Sequence, residues 1–137
     1  MRFDRFTDVA WFLLRVVVGI MFMQAGGVKI LDWFGGVPAE FGGHPAMWSQ
    51  SWIGGMLELI CGALIILGLF TRLAAFIASG EMAVAFWQFH FDRETPWPIQ
   101  THSELPVTYC FLFLFMAAYG AGKWSLDAVL FRKRGAA

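Results

Sequence analysis

Four ionisable residues stand inside stretches that are otherwise apolar: Arg15, Lys29, Glu58 and Glu81. Glu58 is the plainest case. It stands within I-G-G-M-L-E-L-I-C-G-A-L-I-I-L-G-L-F at residues 53–70, with no second charge in that stretch. A charged group costs at least about 2.5 kcal/mol at the centre of a bilayer, which makes each one a functional-site candidate by default. Two chemistries suit buried acids and amines: holding or passing a proton, and hydrogen-bonding a carbonyl on a bound molecule. The plainer alternative is that the charges pair and tie helices together, as polar groups in membrane helices do for modest energy.

Spacing places these residues on common faces. Arg15, Gly19, Phe22, Gly26 and Lys29 are separated by four, three, four and three residues, which is one face of a helix. Gly54, Glu58, Cys61, Gly62 and Ile65 share a second face, with Gly55 beside it, and Ala74, Ala78, Glu81, Ala85 and Gln88 share a third. Small residues accompany the charge on each face, as close packing of membrane helices requires. Each stripe is therefore expected to point inward, away from lipid.

The elements that must carry these faces follow from composition. The 137 residues suffice for one domain, read here as residues 1–137, and 58% of them are hydrophobic with only 15% charged, against about 25% charged in soluble domains. A membrane helix needs about 20 mostly apolar residues, and four segments qualify, at roughly 9–31, 52–70, 73–91 and 105–122. The sequence thus predicts an all-α membrane protein, a four-transmembrane-helix bundle. The alternative of a soluble helical bundle fits this composition poorly. The Gly-, Pro- and Trp-containing stretch from Trp33 to Trp52 reads as an irregular segment at the membrane interface. The prolines at 96 and 98 exclude a continuous helix between the third and fourth spans. Ser125 is a candidate N-cap for a short C-terminal helix lying on the membrane.

Arg2, Arg5, Arg72, Lys123, Arg132, Lys133 and Arg134 fall on one side of these spans and Arg93 on the other. The positive-inside rule then places both termini in the cytoplasm. The apolar N-terminal stretch is not read as a signal peptide, because Arg15 interrupts it and no small-residue cleavage site follows. A net charge of zero gives no field for nucleic acid.

Depth along the helices, at about 1.5 Å per residue, pairs Lys29 with Glu58 in the outer half, with Gln24 near the depth of Glu58. It pairs Arg15 with Glu81 in the inner half, and tilt also allows Arg15 to reach Glu58. The three histidines lack metal-ligand spacing, so His44, His90 and His102 read as interfacial and no metal is expected. Cys61 and Cys110 lie far apart in apolar runs and read as small core residues rather than a redox pair. Aromatic side chains are numerous enough to line a slot for a flat ring, with Phe22, Tyr109 and the neighbouring His90 as candidate contacts.

With these residues in hand, the chain resembles the DoxX family of small bacterial membrane proteins. The resemblance rests on Arg15, Gly19, Phe22, Gly26 and Lys29 as R-x3-G-x2-F-x3-G-x2-K, and on E-L-I-C-G-A-L-I-I-L-G-L-F-T-R with Glu58, Gly62, Gly68, Thr71 and Arg72. Met82, Ala85 and His90 follow, then Glu104, then G-x-G-x2-S-L-D as Gly120, Gly122, Ser125 and Asp127. Members often carry histidine before the second glycine of the first span, where this chain has Ala25. The resemblance implies a four-helix protein of the bacterial inner membrane. Some members are similar to the membrane subunit of thiosulfate:quinone oxidoreductase, and others are linked to complexes handling oxidative or thiol stress. It sets three expectations beside one another. The first is an oxidoreductase subunit meeting quinone in a cavity of Arg15, Gln24, Lys29, Glu58, Glu81 and Glu104. The chain has no electron carrier of its own, so electrons would come from a bound cofactor or a soluble partner at the cytoplasmic face. The second is an anchor that gathers soluble redox enzymes through the R-K-R tail, and the third a small-molecule carrier that works as a homo-oligomer. Gly19, Gly26, Gly62, Gly68, Arg72, Gly120, Ser125 and Asp127 are read as structural.

Overall fold

A computed structural model describes residues 2–131, without the side chain of Arg2; the basic residues Arg132, Lys133 and Arg134 lie outside the described part. Among the described residues all regular structure is helical. The elements are α1 (Arg2–Ile30), α2 (Gln50–Leu67), α3 (Thr71–Ala85), the short α4 (Pro98–Thr101), α5 (Glu104–Tyr119) and α6 (Leu126–Leu130).

Local chemistry sets the ends. No proline or glycine interrupts the chain before Val9, so α1 starts at Arg2 rather than where the apolar run begins. Ser49 caps α2, its Oγ accepting the Trp52 N–H at 3.2 Å. Gly68, at φ 70°, ends that helix in the left-handed conformation that glycine adopts without a Cβ clash. The third span is helical to His90, but its last turn, Phe86–His90, is a π-helical turn closed by Phe91 N–H on the Phe86 carbonyl. Proline at the first turn of α4 is tolerated because its missing N–H has no partner there in any case. The expected short C-terminal helix is present as α6, with Ser125 Oγ accepting the Ala128 N–H.

The four long helices pack in a ring. α1 lies along α2, α2 meets α3, and α3 lies along α5. α5 returns to α1 through aromatic contacts, Phe22 with Tyr109 and Phe113, and Trp11 with Phe115 and Tyr119. α1 and α3 are therefore diagonal partners. The loop after α1 holds two single 3-10 turns, Trp33–Gly35 and Ala39–Phe41, and Trp33 folds back over Gly27.

Burial is inverted relative to a water-soluble protein. Arg15 is 1% exposed and Glu58 3%, whereas Phe76 is 64% exposed and Phe111 66%. Leu13 and Val17 of α1 and Ile60 and Leu67 of α2 are exposed as well. Such an extensive apolar surface calls for an apolar surrounding. By length and composition, 3–30 and 50–67 are each long and apolar enough to cross a membrane, and α5 is a shorter apolar helix.

The tightest packing is between α1 and α2. A Cβ at Gly26 would stand 2.5 Å from the Gly55 carbonyl oxygen and 2.6 Å from the Leu59 nitrogen, and one at Gly62 would stand 2.7 Å from Met23 Cβ. These backbones touch because neither position has a side chain, the small-residue contact of membrane helices. Gly80 on α3 has nothing within 4 Å of the same point. Gly26→Ala is expected to lose about 1–3 kcal/mol by overpacking. Gly80→Ala should be neutral or gain up to about 1 kcal/mol, both read from unfolding in mild detergent.

Candidate functional site

Lys29 and Glu58 meet where α1 and α2 are held close. Gly55 sits under the Lys29 side chain, its Cβ position 3.0 Å from Lys29 Cβ, and Gly26 sits against Glu58 Cβ. Lys29 Nζ donates to Glu58 Oε1 at 2.8 Å, so the ion pair expected from depth is formed. The partners differ in burial: the Lys29 side chain is 32% exposed and that of Glu58 4%.

Glu81 joins from α3. Its Oε1 lies 3.1 Å from where a Gly54 Cβ would stand, so the carboxyl rests on bare backbone one turn from Glu58 and on the same face of α2. One oxygen of each acid, Glu58 Oε2 and Glu81 Oε2, is closed to solvent and has no hydrogen-bond partner.

These three groups form the polar end of a cavity of about 720 Å³ between α2 and α3. Its walls are mainly apolar, with Ile53, Leu57, Ile77, Val84 and Phe89, and Gly54 and Gly80 provide the space. His90 lines it from the π-helical turn, its Nδ1 3.2 Å from the Ala85 carbonyl oxygen. At the mouth Gln50 donates from Nε2 to Gln88 Oε1, tying the start of α2 to that turn. A second cavity, about 310 Å³, lies under the loop between α1 and α2 and is bounded by Val37, Gly42 and Pro45. Lys29, Phe41 and Ser51 line both cavities, so the charged cluster separates an apolar groove from a loop-side space. A volume of this size is typical of small-molecule sites, which are mostly apolar with a few placed polar groups.

Several residues expected in this cavity are elsewhere. Arg15 does not meet Glu81 or Glu58. It is buried at the other end of the ring, where Nη2 donates to the Trp124 carbonyl at 2.7 Å and the guanidinium lies over the Phe12 ring. Depth rules out its pairing with Glu81: Arg15 lies against Gly68, just past the end of α2, and Glu81 against Gly54, near the start of that helix. Gln24 is exposed, because two residues' separation from Phe22 and from Gly26 turns it about 200° around the helix. Glu104 is exposed in the first turn of α5, where free N–H groups favour a carboxylate. Phe22 and Tyr109 pack on each other and on Phe113 in the core and do not line the groove. The packed stripe of α3 is Ala74, Ala75, Ala78, Ser79 and Met82 rather than the face through Gln88, which is exposed.

The glycines and polar residues read as structural gather in two places. Gly19, Gly26 and Gly62 line the α1–α2 contact. The rest form a corner at the Arg15 end. Asp127 Oδ1 and Oδ2 accept the N–H groups of Phe70 and Thr71 at 2.8 and 2.9 Å, capping α3. That cap holds Phe70 at φ 48°, a conformation uncommon outside glycine. Arg72 donates to the carbonyls of Ala117, Ala118 and Tyr119 at the end of α5. Trp11 Nε1 donates to the Gly120 carbonyl at 3.2 Å, and Ser125 Oγ to that of Gly122. Gly68 leaves room for Arg15, whose Nη1 would lie 1.8 Å from a Cβ there. Sequence reasoning missed Gln50, Gly80 and Phe41 at the groove, and the Trp124 carbonyl as the partner of Arg15. A polar residue opening an apolar span was the available signal for Gln50; a backbone acceptor leaves none.

Comparison with known proteins assigns this arrangement to a class. The DoxX family model matches residues 10–91. An uncharacterized protein of Haemophilus influenzae is 39% identical over 124 residues, covering 88% of this chain and 90% of the relative. An uncharacterized membrane protein of Mycobacterium tuberculosis is 28% identical over 131 residues, covering 88% of this chain and 80% of the relative. No solved structure matches at a significant level. The chain belongs to the DoxX family and is a membrane protein.

The unequal burial of the ion pair orders its variants. Lys29→Met leaves a buried carboxylate without its cation, while Glu58→Gln leaves an ammonium that can turn to the loop-side space. Lys29→Met is therefore expected to destabilise more, by about 3 kcal/mol. The double variant Lys29→Met/Glu58→Leu should recover part of that loss. Thermal unfolding of the purified variants checks both statements.

Proposed function

We propose that the protein spans the bacterial inner membrane four times, with both termini in the cytoplasm. In this reading it binds a small hydrophobic molecule of the quinone class in the groove between α2 and α3, as the membrane subunit of an oxidoreductase system. The observation that carries this reading is the cavity of about 720 Å³ with mainly apolar walls, where Lys29, Glu58 and Glu81 supply the charged groups and Gln50, Ser51 and His90 the other polar ones. A flat ring with polar carbonyls and an apolar tail matches that division. The Lys29 ammonium and a protonated carboxyl supply donors to a carbonyl, and the same acids supply protons. Reduction of a quinone to its quinol takes two electrons and two protons. In this proposal the protons pass through Glu81, Glu58 and Lys29, and the electrons come from a soluble redox partner at the cytoplasmic face.

The four-span reading is supported by length. α3 with its π-helical turn runs from 71 to 90, about 30 Å, the thickness of a bilayer's hydrocarbon core. α5 is shorter, at about 24 Å for its 16 residues, but is apolar and exposes Phe111, Leu114 and Phe115. Charge supports the orientation: Arg5, Arg72 and Lys123 fall at one end of the ring, with Lys123 paired to Asp8 at 3.2 Å, and Arg93 at the other.

Gly80→Leu places a side chain in open space within the groove. A short-chain quinone should raise the melting temperature of the wild type and leave that of Gly80→Leu unmoved, while the two proteins melt alike without quinone. Equal stabilisation of both would place the ligand elsewhere. For topology, a membrane-impermeant thiol reagent added to cells is expected to label a cysteine introduced at Glu94 and to spare one at Arg72. The opposite pattern would reverse the orientation.

A further inference from the structure

We propose that Glu58 and Glu81 hold one exchangeable proton between them, and that Lys29 is the group through which this proton reaches the loop-side cavity. The case begins with hydrogen-bond accounting. An ionised carboxylate only accepts, so two of them side by side cannot satisfy each other. Glu58 Oε2 and Glu81 Oε2 are both closed to solvent and without a partner, and the two side chains lie within hydrogen-bonding reach of one another. A buried acceptor left unpaired loses its hydration with nothing in return. One proton placed between the acids makes one a donor and the other its charge-assisted acceptor, and both oxygens are then satisfied.

Charge gives the same count independently. Two carboxylates face one ammonium, and among the described residues Lys29 is the one cation paired with either acid. The ion pair leaves one negative charge in an apolar interior; the shared proton removes it. The other titratable neighbours are Cys61 on α2, near Glu81, and Tyr109 on α5, near Glu58. Both are neutral in their ordinary form and add no positive charge. His90 lines the same cavity from the end of α3, hydrogen-bonded to its own helix through Nδ1.

Placement supplies the route. Lys29 lines both cavities, and its Nζ touches Glu58 Oε1 at 2.8 Å. Its side chain is 32% exposed, whereas that of Glu58 is 4%. Lys29 gives one proton to the acid pair and takes another from the loop-side space, and the reverse sequence releases one. No electron moves and no bond other than those to hydrogen changes. The site therefore exchanges protons whatever molecule occupies the groove.

Infrared spectroscopy of the protein in lipid at neutral pH, with ¹³C-labelled glutamate, tests this directly. Wild type is expected to show a carboxylic-acid C=O band that shifts with the label and moves down on transfer to D₂O. Glu58→Gln and Glu81→Gln should each lose that band, and Lys29→Met should keep one that exchanges more slowly. Absence of a protonated glutamate band in wild type overturns the shared proton without depending on any variant folding. Persistence of the wild-type band in both glutamine variants also overturns it. An exchange rate unchanged in Lys29→Met overturns the Lys29 route. Quinone binding is a separate readout, so its failure and the failure of this proposal are distinguishable.

Discussion

Everything at the charged end of this protein depends on how closely the backbones of α1 and α2 approach. Gly26 faces the Gly55 carbonyl and Gly62 faces the backbone of Met23, with no side chain between them. That contact brings Lys29 over Gly55 and within 2.8 Å of Glu58. In an apolar surrounding the pair is tolerable only when it is this close, because the cost of removing each charge from water is offset only by good geometry. A larger residue at Gly26 would push the helices apart and turn a tied carboxylate into an isolated one. The glycines and the ion pair are therefore one device.

The same logic runs differently at the other end of the ring. There Arg72 and Asp127 spend their charge on backbone groups left open by helix ends, the carbonyls at the end of α5 and the N–H groups at the start of α3. Arg15 is held by a single hydrogen bond to the Trp124 carbonyl and by the Phe12 ring, and two of its nitrogens, Nε and Nη1, are buried without a partner. Helix ends in a membrane find no water to satisfy them in the hydrocarbon, so such caps are structural requirements. The chain thus uses buried charge in two ways. At one end the charges cap helix ends, and at the other Lys29, Glu58 and Glu81 line a cavity of about 720 Å³. That cavity is the reason for locating function at the Lys29 end.

Much of this was legible in the sequence, for definable reasons. Apolar runs and prolines marked the helices, since both act through local chain properties. Period and lean of side chains paired Lys29 with Glu58 because the two helices are consecutive and antiparallel. The sequence pattern failed for Arg15 and Glu81, since the bounds of an apolar run fix depth only loosely: α1 begins at Arg2, and Arg15 lies against Gly68 past the end of α2 while Glu81 lies against Gly54 near its start. It failed for Phe22 and Tyr109 for another reason: a residue on an inward face can fill the core or line a cavity, and only the packing decides. Gln24 was an error of angle rather than of depth. The role of Gly80 lies in what is absent around it, which no residue pattern expresses.

The central claim is that a small hydrophobic molecule sits between α2 and α3 against Glu81 and Glu58. Photoaffinity labelling with an azido-quinone in native membranes, followed by peptide mapping, tests it most directly. The account predicts adducts confined to residues 50–58 and 77–90, lost when excess unlabelled quinone is added. Labelling spread along the exposed face of α5 without competition, or none on either groove-lining segment, would contradict it.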